Sequence, residues 1–310
     1  MKRLLTGLQP SGALHIGNYF GALKPFAEKY SEYESFLMVA DYHALTSLKK
    51  PEDLRTNIRE VVKSYVATGV DPKKAVIFQQ SRVQEHTELA WIFECLVTVP
   101  FLELSHAYKD KVAKGLEANA GLFNYPMLMA ADILLYDTDV VPVGADQRQH
   151  IEYAREAAAK FNKAFGETFK EPKGIIDDTI ASVPGTDGKK MSKSYGNTIP
   201  LFASRDAIAK AVMSIVTDSS SDRPENVYAV HKHFRAKGLE DLYDSQRGKY
   251  KALKEALIED IDAMVSPMRN IYEAMTDTDV DDILKEGSAK ARSVASGKMQ
   301  DVRAKVGVTI

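Results

Sequence analysis

The chain has 310 residues, of which 45% are hydrophobic and 27% are charged, as is typical of a globular protein with one large or two ordinary domains. The single cysteine, Cys95, excludes a disulfide framework and a cysteine-rich metal site. The formal net charge of −2 provides no global basic field, so nucleic-acid binding would need a local patch. No apolar run is long enough to span a membrane and the N-terminus lacks the apolar core of a signal peptide, so we expect a cytoplasmic protein.

The chain begins with a short apolar strand that leads into a glycine-rich turn. Residues 4–8 predict the strand, Pro10-Ser11-Gly12-Ala13-Leu14-His15-Ile16-Gly17-Asn18 predicts the turn, and apolar residues at helical spacing follow. Glycines permit close backbone approach to a ligand, and a helix N-terminus presents unpaired N–H groups to an anion. His15 and Asn18 would then face phosphate, although an ordinary strand-to-helix turn with a capping histidine also explains the segment. The G-x-G-x-x-G fingerprint of dinucleotide binding is absent.

Strands and helices alternate over the next part of the chain. We expect strands at 35–40, 75–78 and 139–143, and helices at 51–69, 88–97, 101–112, 126–136 and 147–165. This alternation predicts a parallel sheet covered by helices, which binds ligands beyond the carboxyl ends of its strands. His15, His43 and residues 144–147 all follow predicted strands, which indicates one site. Cys95 lies in an apolar helical run and is expected to be a core thiol.

After about residue 201 the pattern is helical. The predicted fold class is therefore α/β, with a Rossmann-like parallel sheet, helices on both of its faces and a helical C-terminal domain. We expect a catalytic domain over 1–200, rejoined by the last helix at 285–310, and a helical domain over 201–284. Basic residues outnumber acidic ones within 285–305, which fits either a solvated helix face or RNA contact.

A second loop with the composition of a phosphate site lies well downstream. Lys189-Lys190-Met191-Ser192-Lys193-Ser194 is flanked by Gly185, Gly188 and Gly196. Such a cationic loop could close on a nucleotide and stabilise the charge that develops on leaving phosphates. A solvated surface loop is the alternative. Together and in this order, the two loops resemble the H-I-G-H and K-M-S-K-S motifs of class I aminoacyl-tRNA synthetases.

Asp132 is the most informative residue of the segment 125–136. Its neighbours at three and four positions along a helix are Leu128, Met129, Leu135 and Tyr136, all of them apolar or aromatic. A buried carboxylate without a partner is costly. The donor could be an indole N–H of a substrate, with the ring held by residues such as Met129, or it could be a nearby arginine or lysine of the chain.

The resemblance extends to the bacterial-type tryptophanyl-tRNA synthetase family over nearly the whole chain. The matching segments are residues 9–12, 41–46, 125–136, 141–144, 146–147 with His150, the lysine loop, and Glu286-Gly287-Ser288-Ala289-Lys290-Ala291-Arg292. The resemblance implies a Rossmann catalytic domain, a helical anticodon-binding domain and a homodimer. It also implies ATP with Mg²⁺, L-tryptophan and tRNA(Trp) as reaction partners, with no metal bound by the protein itself.

The resemblance also assigns roles to individual residues. His15, Lys190, Ser192 and Lys193 would act in catalysis. The ATP site would comprise Gln9, Ser11, Gly17, Asn18, Gly144, Asp146, Lys190, Met191 and Lys193. The tryptophan site would comprise Leu5, His43, Tyr125, Met129, Asp132, Val141, Val143 and Gln147, with Asp132 receiving the indole N–H and with Tyr125 and Gln147 holding the amino group.

The chain departs from the family pattern at three places. Leu5 stands where the family often has phenylalanine, Ala145 replaces a usual glutamate, and Tyr195-Gly196-Asn197 replaces the common Asp-Pro-Asn. The rival predictions are a tyrosyl-tRNA synthetase, a small-molecule nucleotidyltransferase and a synthetase-like RNA-binding regulator. Met129 favours tryptophan over tyrosine, and the complete lysine loop argues against the nucleotidyltransferase.

Overall fold

The structure is a computed structural model that describes residues 1–47, 50–143, 148–176, 183–217 and 223–309, with the backbone alone for Val143, Arg148, Ile175 and Ile176. Five strands form one parallel sheet in the order β3-β2-β1-β4-β5. The strands are β1 (Arg3–Leu8), β2 (Glu34–Val39), β3 (Val76–Gln79), β4 (Val140–Val143) and β5 (Lys173–Ile176).

Fourteen α-helices are assigned within the described residues. They are α1 (Ile16–Asn18), α2 (Lys24–Lys29), α3 (Asp41–Ala44), α4 (Pro51–Ala67), α5 (Glu85–Glu94), α6 (Val99–Leu102), α7 (His106–Ala113), α8 (Ala120–Leu134), α9 (Arg148–Phe165), α10 (Arg205–Met213), α11 (Glu225–His231), α12 (Leu239–Ser245), α13 (Tyr250–Ala274) and α14 (Asp277–Val306). None of the helices in the described ranges is both long and apolar enough to cross a membrane.

The predicted fold class is confirmed, because side chains on both faces of the sheet are buried under helices. Leu4, Leu37 and Ile77 belong to one apolar cluster, whereas their chain neighbours Leu5, Phe36 and Phe78 belong to the other. This separation follows from the alternation of side chains along a strand. The first cluster also contains side chains of α4, α10 and α13, and the second contains side chains of α5, α8, α9 and α14.

Three expectations about local structure need correction. The helix expected over 101–112 is divided, because α6 ends at Leu102 and α7 begins at His106. Strand β5 was not expected from the sequence, since two of its four residues, Lys173 and Gly174, are not apolar strand formers. Cys95 is exposed, and so is Trp91, because Leu89, Ala90 and Phe93 form the buried face of α5.

Helix α14 packs closely against the edge strand β3. A Cβ atom on Gly287 would overlap the carbonyl oxygen of Ile77, so only glycine permits this approach. The next residue, Ser288, accepts a hydrogen bond through its hydroxyl from the Gln79 backbone N–H at 3.3 Å. Arg303 near the end of α14 donates to Glu88 of α5 at 2.7 Å. Gly287 and Ser288 therefore hold α14 against the edge strand β3, the first by close packing and the second by a hydrogen bond.

We predict that Gly287→Ala lowers the free energy of unfolding by about 1–3 kcal/mol, because the added methyl group must displace backbone. Gly297→Ala is the matched control, since it lies on the same helix with no atom within 4 Å of an added Cβ. The control should stabilise the helix by about 0.5–1 kcal/mol. Thermal unfolding of both variants measures the difference, and equal effects of the same sign would contradict the close packing of α14 on β3.

Candidate active site

The candidate site lies at the carboxyl edge of the sheet. Residues 9–12 follow β1, His43 lies on α3 directly after β2, and Gln80 follows β3. Strand β1 has β2 on one side and β4 on the other, so the order of connection reverses there, as at the ligand sites of other open parallel sheets. The predicted residues Gly144, Asp146 and Gln147, together with Ala145, lie outside the described residues, as does the side chain of Val143.

The first loop brings His15 to the start of α1. Gly12 has φ = +110°, a conformation that favours glycine, and the Ser11 backbone N–H donates to the Gln9 carbonyl at 2.8 Å. The Asn18 side chain accepts from the His15 backbone N–H at 3.0 Å. The His15 ring is buried beside Gly17, and its Nδ1 has no hydrogen-bond partner among the described residues. A polar ligand at this loop could satisfy that nitrogen.

The lysine loop is organised by the buried side chain of Asn197. Its Oδ1 accepts from the Ser192 backbone N–H at 2.8 Å, and its Nδ2 donates to Asp187 at 2.7 Å and to the Lys190 carbonyl at 3.2 Å. The preceding residue, Gly196, has φ = +64°. Proline fixes φ near about −65°. The departure from Asp-Pro-Asn therefore gives this loop a turn that proline could not form, while Asn197 is retained.

Backbone hydrogen bonds hold the two loops together. The Ile16 N–H donates to the Ile199 carbonyl and the Leu201 N–H donates to the Leu14 carbonyl, each at 3.0 Å. Met191 is buried against this junction, and Lys193 Nζ donates to the Gly12 carbonyl at 2.8 Å. The structure thus brings together the two segments that the sequence singled out.

The charge of Lys193 affects the protonation of His15 at this junction. Burial, and then the charge of Lys193, lowers the pKa of His15 to about 4. Lys193 is an exposed residue as a whole, but partial burial lowers the pKa of its ammonium group. His15 is therefore neutral at pH 7 and can offer an N–H donor without adding charge.

Side chains of the predicted amino-acid pocket share one face of α8. Tyr125, Met129 and Asp132 recur at intervals of four and three residues. Leu5 and Val141 are buried in the apolar cluster against which Met129 packs. The Tyr125 hydroxyl lies 3.1 Å from His150 Nε2 and 3.3 Å from Ser105 Oγ. The Tyr125 ring lies edge-on to His43, with centroids 6.3 Å apart.

Asp132 is 1% exposed, and its donors come from the chain itself. His86 Nδ1 lies 2.5 Å from Oδ1, His43 Nε2 lies 2.8 Å from Oδ2, and Gln80 Nε2 donates to both oxygens at 2.8 and 3.0 Å. The alternative of an arginine or lysine is therefore wrong, because two histidines and a glutamine of the chain supply the donors. Burial opposes ionisation of Asp132, but the two histidines outweigh it and lower the carboxyl pKa to about 2. Asp132 is therefore a carboxylate.

Sequence reasoning missed several residues of the site. Gln80, His86 and Asn197 are each at most 2% exposed and each bonds a predicted site residue. Gln80 could have been found, since it directly follows a predicted strand, as His43 does. His86 has no comparable signal in the sequence, because it lies within a helix and its partner, Asp132, is 46 residues further along the chain.

The family model described as tRNA synthetases class I (W and Y) matches residues 1–278 of this chain. The chain belongs to this synthetase family. The resemblance noted in the two loops is therefore confirmed.

Individual synthetases resemble the chain over nearly its full length. A tryptophan–tRNA ligase of Fusobacterium nucleatum is 47% identical, with 99% of this chain and 98% of that protein covered. The structure of a tryptophanyl-tRNA synthetase from Campylobacter jejuni, complexed with ADP and tryptophan, has a TM-score of 0.93 at 43% identity and covers 98% of this chain and 99% of that one. A tryptophanyl-tRNA synthetase from Mycoplasma pneumoniae has a TM-score of 0.85 at 30% identity, covering 99% and 98% of the two chains.

We predict that Lys193→Met raises the pKa of His15 from about 4 towards its ordinary value of 6.5, but not fully, because burial is the larger cause of the depression. Because burial disfavours the charged form of His15, the shift leaves the free energy of unfolding unaffected above about pH 6.5 and lowers it progressively as the pH falls towards 4. An NMR titration of the His15 ring, assigned with His15→Gln, measures the midpoint. An unchanged midpoint in Lys193→Met would contradict the contact between the two loops.

Proposed function

We propose that this protein is a tryptophan–tRNA ligase. It activates L-tryptophan with ATP to give tryptophanyl-adenylate and pyrophosphate, and it then transfers tryptophan to the 2′-hydroxyl of the terminal adenosine of tRNA(Trp). The observation that carries the proposal is the ionised, buried Asp132 in an apolar cluster at the same sheet edge as the two phosphate-type loops. The Campylobacter synthetase with ADP and tryptophan supports the same pair of ligand classes.

The two joined loops are proposed to bind ATP, as its Mg²⁺ complex. His15 and Asn18 would hold phosphate and nearby ribose, and Lys190, Ser192 and Lys193 would follow the triphosphate into the transition state. The remaining proposed contacts are Gln9, Ser11, Gly17, Gly144, Asp146 and Met191. No covalent enzyme intermediate is needed when the tryptophan carboxylate attacks the α-phosphate, so positioning and charge stabilisation supply the catalysis.

The proposed tryptophan pocket distinguishes its substrate by one polar contact. Asp132 receives the indole N–H, and the apolar residues Leu5, Met129, Val141 and Val143 contact the ring. Tyr125 and Gln147 hold the amino group, and His43 completes the pocket. A site built to bond one polar substrate atom rejects an analogue that lacks it, because its own buried polar group is then left unpaired.

The proposed assembly is a cytoplasmic homodimer. The proposed division assigns 1–200 and 285–310 to the catalytic domain and 201–284 to the anticodon-binding domain. Dimerisation is supported by five exposed apolar side chains between residues 91 and 116, since exposed apolar side chains that occur in groups mark interaction surfaces. These side chains are Trp91 at 67%, Val99 at 60%, Leu104 at 49%, Val112 at 52% and Leu116 at 56% exposure.

ATP–pyrophosphate exchange with each of the twenty amino acids supplied singly tests the function. We expect exchange with tryptophan alone. Asp132→Ala should lower kcat/KM for tryptophan by about 100-fold or more with little change in the KM for ATP, since a charge-assisted hydrogen bond is lost and its buried partners are left unpaired. Asp244→Ala is the control, because Asp244 is an exposed residue whose ion pair is with the neighbouring, also exposed, Arg247.

Each contrary outcome of the exchange experiment identifies a different error. Exchange with tyrosine would mean that the assignments of Met129 and Asp132 are wrong. No exchange with any amino acid would favour the nucleotidyltransferase or the RNA-binding regulator.

Light scattering after size exclusion tests the dimer. We expect a mass of about twice the 34.4 kDa chain and a shift towards the monomer in Trp91→Arg and Leu104→Arg, because a buried unpaired charge is costly at an interface. Ile271→Arg is the matched control, since Ile271 is also an exposed apolar residue, at 47%, but lies on α13. A monomeric parent protein, or equal effects of all three variants, would contradict this interface.

A further inference from the structure

His86 is a fully buried histidine whose two ring nitrogens are both engaged. Its Nδ1 lies 2.5 Å from Asp132 Oδ1, and the Tyr136 hydroxyl lies 2.8 Å from its Nε2. The ring is 0% exposed and stacks on Phe78, with centroids 6.0 Å apart. His86 thus lies behind Asp132, on a helix that provides none of the residues assigned to substrate.

The chemistry of the carboxylate determines which ring nitrogen carries hydrogen. Asp132 is ionised, so its oxygens can only accept, and His86 Nδ1 must donate. Burial, and then the negative charges of Asp132 and Glu85, raises the pKa of Tyr136, so its hydroxyl keeps its hydrogen. In the series of contacts from Tyr136 through His86 to Asp132, the hydrogen bond to the carboxylate is therefore donated by His86.

The two carboxylate oxygens have different surroundings. Oδ1 accepts from His86 and from Gln80, both fully buried. Gln80 is itself fixed, because its Oε1 accepts from the Tyr42 backbone N–H at 3.1 Å. Oδ2 accepts from Gln80 as well, at 3.0 Å, and from His43, whose ring lies edge-on to that of the proposed pocket residue Tyr125. Gln80 therefore contacts both oxygens, whereas His86 contacts only Oδ1 and the proposed pocket residue His43 contacts only Oδ2.

We propose that His86 is a positioning residue for substrate specificity. By donating to Oδ1 it fixes the rotation of the Asp132 carboxylate, so that Oδ2 is presented to the indole N–H in exchange for His43. His86 itself does not touch the substrate. The inference rests on the proposed function, because it assumes that Asp132 binds the indole N–H.

The experiment compares L-tryptophan with β-(3-benzothienyl)-L-alanine, in which sulfur replaces the indole N–H. The quantity measured is the ratio of kcat/KM for the two substrates in ATP–pyrophosphate exchange. Because both values come from one preparation, the ratio does not depend on the fraction of folded enzyme. The comparison is a double-mutant cycle in which one change is made in the substrate.

Three variants separate positioning from packing. His86→Leu removes both ring nitrogens, and the ratio should fall by about 10- to 100-fold, the range for a lost hydrogen bond to a charged group. His86→Asn keeps an amide donor near the place of Nδ1 and should stay within about threefold of the parent ratio. Tyr136→Phe leaves Nδ1 in place and should lower the ratio by about two- to tenfold, the range for a neutral hydrogen bond.

The outcomes distinguish a failure of this inference from a failure of the proposed function. A parent enzyme that used both substrates equally would show that Asp132 does not bind the indole N–H, so the premise would fail before the role of His86 is tested, and a parent enzyme that used neither substrate would mean that the proposed function itself fails. A parent enzyme that prefers tryptophan, together with an unchanged ratio in His86→Leu, would overturn the role of His86 alone. An equal fall in His86→Leu and His86→Asn would also overturn it. If His86→Leu does not fold, an unchanged ratio in Tyr136→Phe overturns the role of His86 instead.

Discussion

The architecture of the site depends on keeping one carboxylate charged inside an apolar core. An unpaired buried charge is costly, and a buried charge is retained only when good hydrogen bonds surround it. For Asp132 those bonds come from α3, from the residue after β3 and from α5, while the carboxylate lies on α8. Four separate parts of the chain must therefore be correctly placed before the charge is tolerated. The sheet order β3-β2-β1 places two of them, because the carboxyl ends of β2 and β3 are adjacent.

The phosphate side of the site depends on backbone contacts rather than on a buried charge. The hydrogen bonds of Ile16 with Ile199 and of Leu201 with Leu14 join segments that are far apart in the chain. Their side chains are not needed for these bonds, so the loops can expose lysines while the junction beneath them stays fixed. Asn197 adds a second layer of order, because it binds the loop backbone on both sides of Met191. The site thus combines a hydrogen-bonded junction between the two loops with exposed lysines.

The fold and the two loops could be predicted because each has a local signal, whereas the support of Asp132 could not. Apolar strands, helical periodicity and glycine-rich turns are properties of neighbouring residues, and they located β1 to β4 and the lysine loop. Strand β5 was missed because its sequence Lys-Gly-Ile-Ile contains only two apolar residues and a glycine, which carry too little signal for a strand. His86 meets Asp132 only through the packing of α5 on α8. The sequence correctly indicated that Asp132 needed a donor, but the identity of that donor is a tertiary property.

The packing of α14 reaches the same carboxylate through the end of β3. Ser288 accepts from the Gln79 backbone, and the Gln79 side chain donates to Asp41 at 2.7 Å. The next residue, Gln80, donates to Asp132. Helix α14, which begins at Asp277 and follows helices α10 to α13, thus holds the end of β3 that supports the buried carboxylate. Because Gly287 fits against Ile77 without space to spare, a shift of α14 along this edge must move β3 with it, and the position of Gln80 follows.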